Sequence, residues 1–169
     1  MRRERSKTHP GASLPRARPP VPEAGPDTYG LRGKLPDSTA CPSCGAVYRS
    51  GRWTWGPPPA QAHRTLCPAC RRSEDGYPAG LVVVEGEFVK AHREEISALA
   101  RHVEEREKRE HPLKRIMRVE EPAAGRLEIA TTDARLARGI GEALHHAYQG
   151  DLDYQTRDAE TLFRVSWRR

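Results

Sequence analysis

The sequence predicts an α+β protein in which a cysteine-bearing, turn-rich module precedes a two-layer α/β domain. Three observations carry this expectation. Two matching motifs, Cys41-Pro42-Ser43-Cys44 and Cys67-Pro68-Ala69-Cys70, stand twenty-two residues apart. Beyond Ala79, apolar residues recur first at helical and later at strand spacing. Before Asp37 neither period is present. With 169 residues, 36% of them hydrophobic, and a mean hydropathy of −0.80, one large core is not expected.

Within residues 1–38, six of the fifteen prolines fall between Pro10 and Pro26. Proline removes amide donors and the stretch has little to bury, so a disordered arm is expected. Arg2, Arg3, Arg5, Lys7, Arg16, Arg18, Arg32 and Lys34 outnumber Glu4, Glu23, Asp27 and Asp37, giving 8 − 4 = +4. A solvated tail and a phosphate-clamping arm are both compatible with that charge.

Residues 39–78 form the cysteine module. Val47-Tyr48-Arg49 and Arg52-Trp53-Thr54-Trp55 are suited to a hairpin with its turn at Ser50-Gly51.

Residues 79–169 form the α/β domain. Leu81-Val82-Val83-Val84 reads as a buried strand. Phe88, His92, Ile96, Leu99, Ala100 and Val103 mark an amphipathic helix of about six turns. Its end, Glu104 to Glu110, has no apolar face and is expected to project into solvent before Pro112 stops it. Strands are expected over 115–120 and 126–131, with the turn at 122–125. Thr132 or Asp133 is suited to cap a second helix with Leu136, Ile140, Ala143, Leu144 and Ala147 on one face. Gly150 is placed to end it. Leu152–Thr156 and Leu162–Trp167 complete a pair of strands, with Phe163, Val165 and Trp167 alternating on one face. The order β-α-β-β-α-β plus one strand is the split-βαβ, ferredoxin-like pattern.

The cysteine motifs carry the most specific chemistry. Each turn aims two thiolates at one centre, and two such turns complete a tetrahedron around Zn²⁺. A set of Cys41, Cys44, Cys67 and Cys70 fills the shell and leaves no position for a catalytic water, so one structural zinc is expected. Metal binding would drive folding of a module this short. A redox dithiol needs a single motif at a strand–helix junction, and two copies are present here. His63, four residues before Cys67, becomes redundant as a ligand.

Arg49, Arg52, Arg71 and Arg72 are candidate phosphate contacts, with Arg64 nearby and Trp53 a candidate for stacking on bases. The competing reading is that Trp53 and Trp55 pack the module or dock it onto the α/β domain. No enzyme is expected. Phosphate-loop, nucleophile-elbow, zinc-protease and dinucleotide motifs do not occur. Gly139-Ile140-Gly141 lies within the second helix, where close packing explains it. His145 and His146 are adjacent and project about 100° apart on a helix of 3.6 residues per turn.

No apolar run approaches the roughly 18 residues that would span a membrane. The basic N-terminus leads into prolines, without an apolar signal core. A cytoplasmic protein with neither a membrane nor a small-molecule substrate is therefore expected, where paired cysteines serve metals sooner than disulfides. The formal charge of +6 favours an anionic partner without identifying it. Its distribution is uneven. Residues 1–75 carry 13 basic and 6 acidic side chains (+7), residues 76–169 carry 16 and 17 (−1).

The two cysteine motifs, followed by Thr131-Thr132-Asp133, Leu136-Ala137-Arg138, Ile140-Gly141-Glu142-Ala143-Leu144 and Tyr148, resemble a small group of bacterial zinc-ribbon proteins. More distantly, the chain from about Asp37 onward is similar to the N-terminal part of the archaeal and eukaryotic export-adaptor family of the large (60S) ribosomal subunit. The resemblance implies a zinc ribbon plus α/β domain that binds ribosomal RNA or the ribosomal subunit. Cys41, Cys44, Cys67 and Cys70 match ribbon ligands of that family. The export adaptors carry more cysteine pairs and longer C-terminal domains, so RNA or ribosome contact carries over and transport does not. The expected function is non-enzymatic RNA binding on the ribosome, in assembly or in regulation of idle subunits. The alternative is a protein-interaction adaptor that presents the ribbon and Glu104 to Glu110 to a protein partner.

Overall fold

The computed structural model describes Tyr29, Gly33, residues 35–155 and residues 162–169. The arm expected over residues 1–38 therefore falls almost wholly outside the described residues, as does Thr156. Among the described residues the chain forms three helices and two mixed sheets.

The first sheet holds β1 (Thr39–Ala40), β2 (Val47–Arg49), β3 (Arg52–Thr54) and β4 (His63–Arg64) in the order β3-β2-β1-β4. Ser50 and Gly51 join β2 to β3 with φ values of 49° and 82°. Two successive left-handed residues match the right-handed twist of a hairpin, which is why Ser-Gly serves there. Tyr48 sits opposite Trp53 and their rings meet edge-on at 5.6 Å. Helix α1 (Pro68–Glu74) grows out of the second cysteine motif, where the sequence suggested only turns. Pro68 at its start loses no needed hydrogen bond, because the first helical amides have no partner within the helix.

The second sheet uses β5 (Gly80–Glu85), β6 (Ile116–Ala123), β7 (Arg126–Thr131), β8 (Asp151–Gln155) and β9 (Phe163–Arg168), in the order β6-β7-β5-β9-β8. Helix α2 (Glu87–Glu110) connects β5 to β6, and α3 (Ala134–Tyr148) connects β7 to β8. β7 inserts between β5 and β6, antiparallel to both. A strand leading straight out of α3 runs antiparallel to β5. The strand beside β5 is instead β9, parallel to it, while β8 lies outside β9 as the sheet edge.

One sheet face packs on the helices. Val82, Val84, Leu127, Ile129, Phe163, Val165 and Trp167 form a single buried cluster with Ile96, Ala100 and Val103 of α2 and Leu136, Ile140 and Leu144 of α3. The strand period of two brings Glu85, Arg126, Glu128 and Arg168 to the opposite face, where Glu85 pairs with Arg126 and Arg168. Helix α2 breaks regular geometry at His92 (φ −122°), so Val89 takes the buried place expected for His92. In α3, Ala147 is exposed and Gly141 is buried in the packed face. A Cβ on Gly141 would stand 2.4 Å from Cγ1 of Val165, whereas one on Gly139 would meet Val103 at 3.7 Å. Of the two glycines, only Gly141 is required by packing. Asp133, not Thr132, caps α3 by accepting from the amides of Arg135 and Leu136. No helix among the described residues is long and apolar enough to cross a membrane.

At the end of α2, Glu105, Arg106, Arg109 and Glu110 are exposed to solvent as expected, but the turn is also anchored. Glu104 accepts from the Ile116 amide at 2.8 Å and Glu107 pairs with Lys114 at 2.7 Å. Trp55 donates its indole N–H to the Lys108 carbonyl at 2.6 Å, satisfying one of the terminal carbonyls of α2. This helix end binds the segment that follows it and the ribbon.

Gly141→Leu is expected to overpack the α3–β9 contact and destabilise the fold by about 1–3 kcal/mol. Gly139→Ala is expected to be neutral or stabilising by up to about 1 kcal/mol. Urea unfolding midpoints of the two variants check the contrast.

Candidate metal centre

Each cysteine pair is set by local backbone geometry. In the first, the Cys41 amide donates to Ala46 O at 2.8 Å and the Gly45 amide to Cys41 O at 3.0 Å. Gly45 takes φ +77°, a conformation that disfavours a Cβ. In the second, Cys67 is the N-cap of α1 and its sulfur accepts from the Cys70 amide at 3.4 Å. The Cys67 amide in turn reaches Cys41 Sγ at 3.3 Å, linking the two pairs.

The four sulfurs all lie within 4.8 Å of one another, and all but Cys44 belong to buried residues. Cys44 Sγ and Cys67 Sγ are 3.8 Å apart. A tetrahedral shell with metal–sulfur bonds of about 2.3 Å needs sulfur separations of about 3.8 Å. The cluster is thus positioned to hold a metal ion. Burial pushes the Cys41 thiol up, but the amides of Cys67, Cys44 and Ser43 outweigh it and bring the thiol down to about 7. Burial pushes Cys67 well above its ordinary value. Holding Cys67 as a thiolate therefore calls for a cation at its sulfur. His63 is exposed on β4 and stands outside the cluster.

One positive charge does reach the sulfurs, and it comes from the other domain. Arg115, the residue before β6, directs Nη2 to Cys67 Sγ at 3.1 Å and Nη1 to Cys70 Sγ at 3.4 Å. Its backbone is clamped by Thr132: the Arg115 amide donates to Thr132 Oγ1 at 2.8 Å, and the Thr132 amide donates to Arg115 O at 2.9 Å. The Thr132 hydroxyl donates to Leu113 O at 2.6 Å. Burial opposes the charge on Arg115, yet the sulfurs hold its pKa above the ordinary value. Forty-five residues separate Arg115 from Cys70, so no local spacing in the sequence could connect them.

The candidate nucleic-acid residues divide. Trp53 is 7% exposed, packed between Tyr48 and the cysteines, which corrects its reading as a stacking platform. Arg72 is 6% exposed and donates to Tyr77 O at 3.1 Å with its guanidinium 4.4 Å above the Tyr29 ring, which corrects its reading as a phosphate contact. Arg49, Arg52 and Arg71 are exposed, as is Arg64. Arg49 also donates to Pro57 O at 2.8 Å. Arg49 pairs with Arg52, Val47 with Ala40, and Ala40 with Arg64. Paired residues share a sheet face, as do residues two apart, so Arg49, Arg52 and Arg64 lie on one face and Tyr48 and Trp53 on the other.

The two adjacent histidines do not converge. His145 Nδ1 lies 2.9 Å from Gly150 O and His146 is exposed. No family model, curated protein or solved structure matches the chain.

Cys41→Ser is expected to retain less metal than the wild type, because one thiolate of the four-sulfur shell is lost. Elemental analysis of the purified variant beside the wild type checks it.

Proposed function

We propose that the chain is a non-enzymatic zinc protein that binds structured RNA, foremost that of the ribosome, as an assembly factor or a regulator of idle subunits. Cys41, Cys44, Cys67 and Cys70 hold one Zn²⁺ whose role is to fold the ribbon. A shell of four cysteines is the usual choice of structural zinc and offers no open position for chemistry. The second domain is read as a ferredoxin-like sheet extended by one strand, and the protein as cytoplasmic.

One observation carries the RNA reading: Arg49, Arg52 and Arg64 are exposed and share one face of the ribbon sheet, with Arg71 exposed on α1. Pairing puts Arg49 and Arg52 on adjacent strands, and Arg64 two strands across from Arg49. With strands about 4.8 Å apart and about 3.3 Å per residue, that separation is on the order of 12 Å. Such a strip suits a phosphate backbone that crosses the strands. The net +7 of residues 1–75 and the resemblance to ribosome-binding zinc ribbons point the same way. The rival adaptor reading would use the ribbon and the exposed Glu105, Arg106, Arg109 and Glu110, while Glu104 and Glu107 are engaged within the chain.

Anisotropy titrations with a structured RNA at several salt concentrations test the reading. Affinity is expected to fall steeply with salt through counterion release. Changing Arg49, Arg52 and Arg64 together to Ala is expected to lower the slope by about 3, about one for each phosphate that the variant leaves unneutralised. The triple variant is expected to keep its metal. Salt-independent or absent binding, together with failure of the full chain to co-sediment with ribosomes, would remove the RNA reading.

A further inference from the structure

We infer that the metal centre is the lock between the two domains, with Arg115 as its bolt: metal in the cysteine cluster and docking of the ribbon onto the α/β domain strengthen each other. The inference rests on the cluster holding a metal and is independent of RNA.

The charge balance gives the first half of the argument. Four thiolates around a divalent cation leave two net negative charges in a site where three of the cysteines are buried. Buried charge is costly unless it is paired and hydrogen-bonded. The ribbon itself offers backbone amides, from Cys67 to Cys41 Sγ and from Cys70 to Cys67 Sγ. Arg72, two residues beyond the last cysteine, spends its guanidinium on Tyr77 and Tyr29. Among the described residues, the cation that does reach sulfur is Arg115, through a fork that touches Cys67 and Cys70 together.

The second half concerns what Arg115 is fixed to. Its backbone exchanges two hydrogen bonds with Thr132, next to the cap of α3. Leu113, two residues earlier, packs into the ribbon core beside the cysteines. Lys114 is tied to Glu107, and the Ile116 amide to Glu104. The guanidinium can therefore meet the sulfurs only when the ribbon is seated. A metal that draws the four sulfurs together fixes both acceptors of the guanidinium in one place, and without it that place is not held. Coupling of this kind is reciprocal, so whatever loosens the seat must weaken metal retention by the same factor.

The test uses the full chain. Loss of a hydrogen bond to a metal ligand typically costs about ten- to hundredfold in metal affinity, and Arg115→Ala is expected to lose zinc affinity by that factor in competition with a chromophoric chelator. Arg115→Lys keeps the charge without the fork and is expected to fall between the two. Co²⁺ loading shows whether the variants retain a tetrahedral four-sulfur site, which separates a weakened site from an unfolded one. Hydrogen exchange reads the lock itself. Removing metal from the wild type is expected to speed exchange at the amides of Arg115, Ile116 and Thr132, while those within α3 stay protected. Metal-loaded Arg115→Ala is expected to show the same acceleration.

Unchanged zinc affinity in Arg115→Ala, or unchanged exchange at these amides after metal removal, overturns the coupling. A wild-type chain that holds no metal overturns the metal reading itself, and elemental analysis distinguishes that failure from the other.

Discussion

The convergence of four sulfurs is the constraint on which the ribbon depends. Its buried cluster consists of Cys41, Ala46, Tyr48, Trp53, Cys67, Ala69 and Cys70, so three of its seven fully buried members are themselves ligand candidates. Two alanines and two aromatic rings are too little apolar surface to offset the ordering of some forty residues. The hairpin, the short helix and the two-residue strands β1 and β4 hold their places because the sulfurs must meet. Without that meeting point the local elements have no reason to persist, since a strand pair of two residues and a helix of two turns are both unstable alone.

The connection to the α/β domain is concentrated in one short segment. From Leu113 to Ile116, successive residues turn to the ribbon core, to Glu107, to the cysteine sulfurs and to Glu104. Pro112 ahead of them is buried and removes one backbone donor that would otherwise need a partner. Trp55 adds a contact from the ribbon side by binding the end of α2. A segment satisfied from both sides at nearly every position has little freedom to move relative to either. The two parts are therefore better regarded as sharing a cysteine cluster across an interface than as beads on a string.

The sequence made some of this legible and hid the rest for identifiable reasons. The cysteine pairs were readable because chelation imposes a short, fixed spacing. Ser50-Gly51 was readable because few residues tolerate left-handed conformations in succession. The inward residues of β5, β7 and β9 followed from alternation. Helix α1 was hidden because a seven-residue helix started by Pro68 has no room to display a period. The parallel place of β9 beside β5 was hidden because strand patterns encode faces, not neighbours. Trp53 and Arg72 were misplaced because composition shows that aromatic and basic residues lie close in sequence and not which of them the core consumes. Arg115 was invisible because its role arises from a contact between residues far apart in the chain.

The pairing of β5 with β9 sets an order on how the molecule can assemble. Gly80 lies opposite Phe163, a separation of 83 residues, whereas the strand pairings and cysteine contacts within residues 39–78 span fewer than about thirty. Closing the short loops costs less entropy and can happen first, while the central pair of the large sheet waits until the polypeptide has been made through β9. Arg115 emerges between these two events. A nascent chain can thus bring its four cysteines together with Arg115 in reach while β5 still lacks β9, leaving Val82 and Val84 at an incomplete edge. During that interval the half-built sheet is the chain's point of exposure to aggregation.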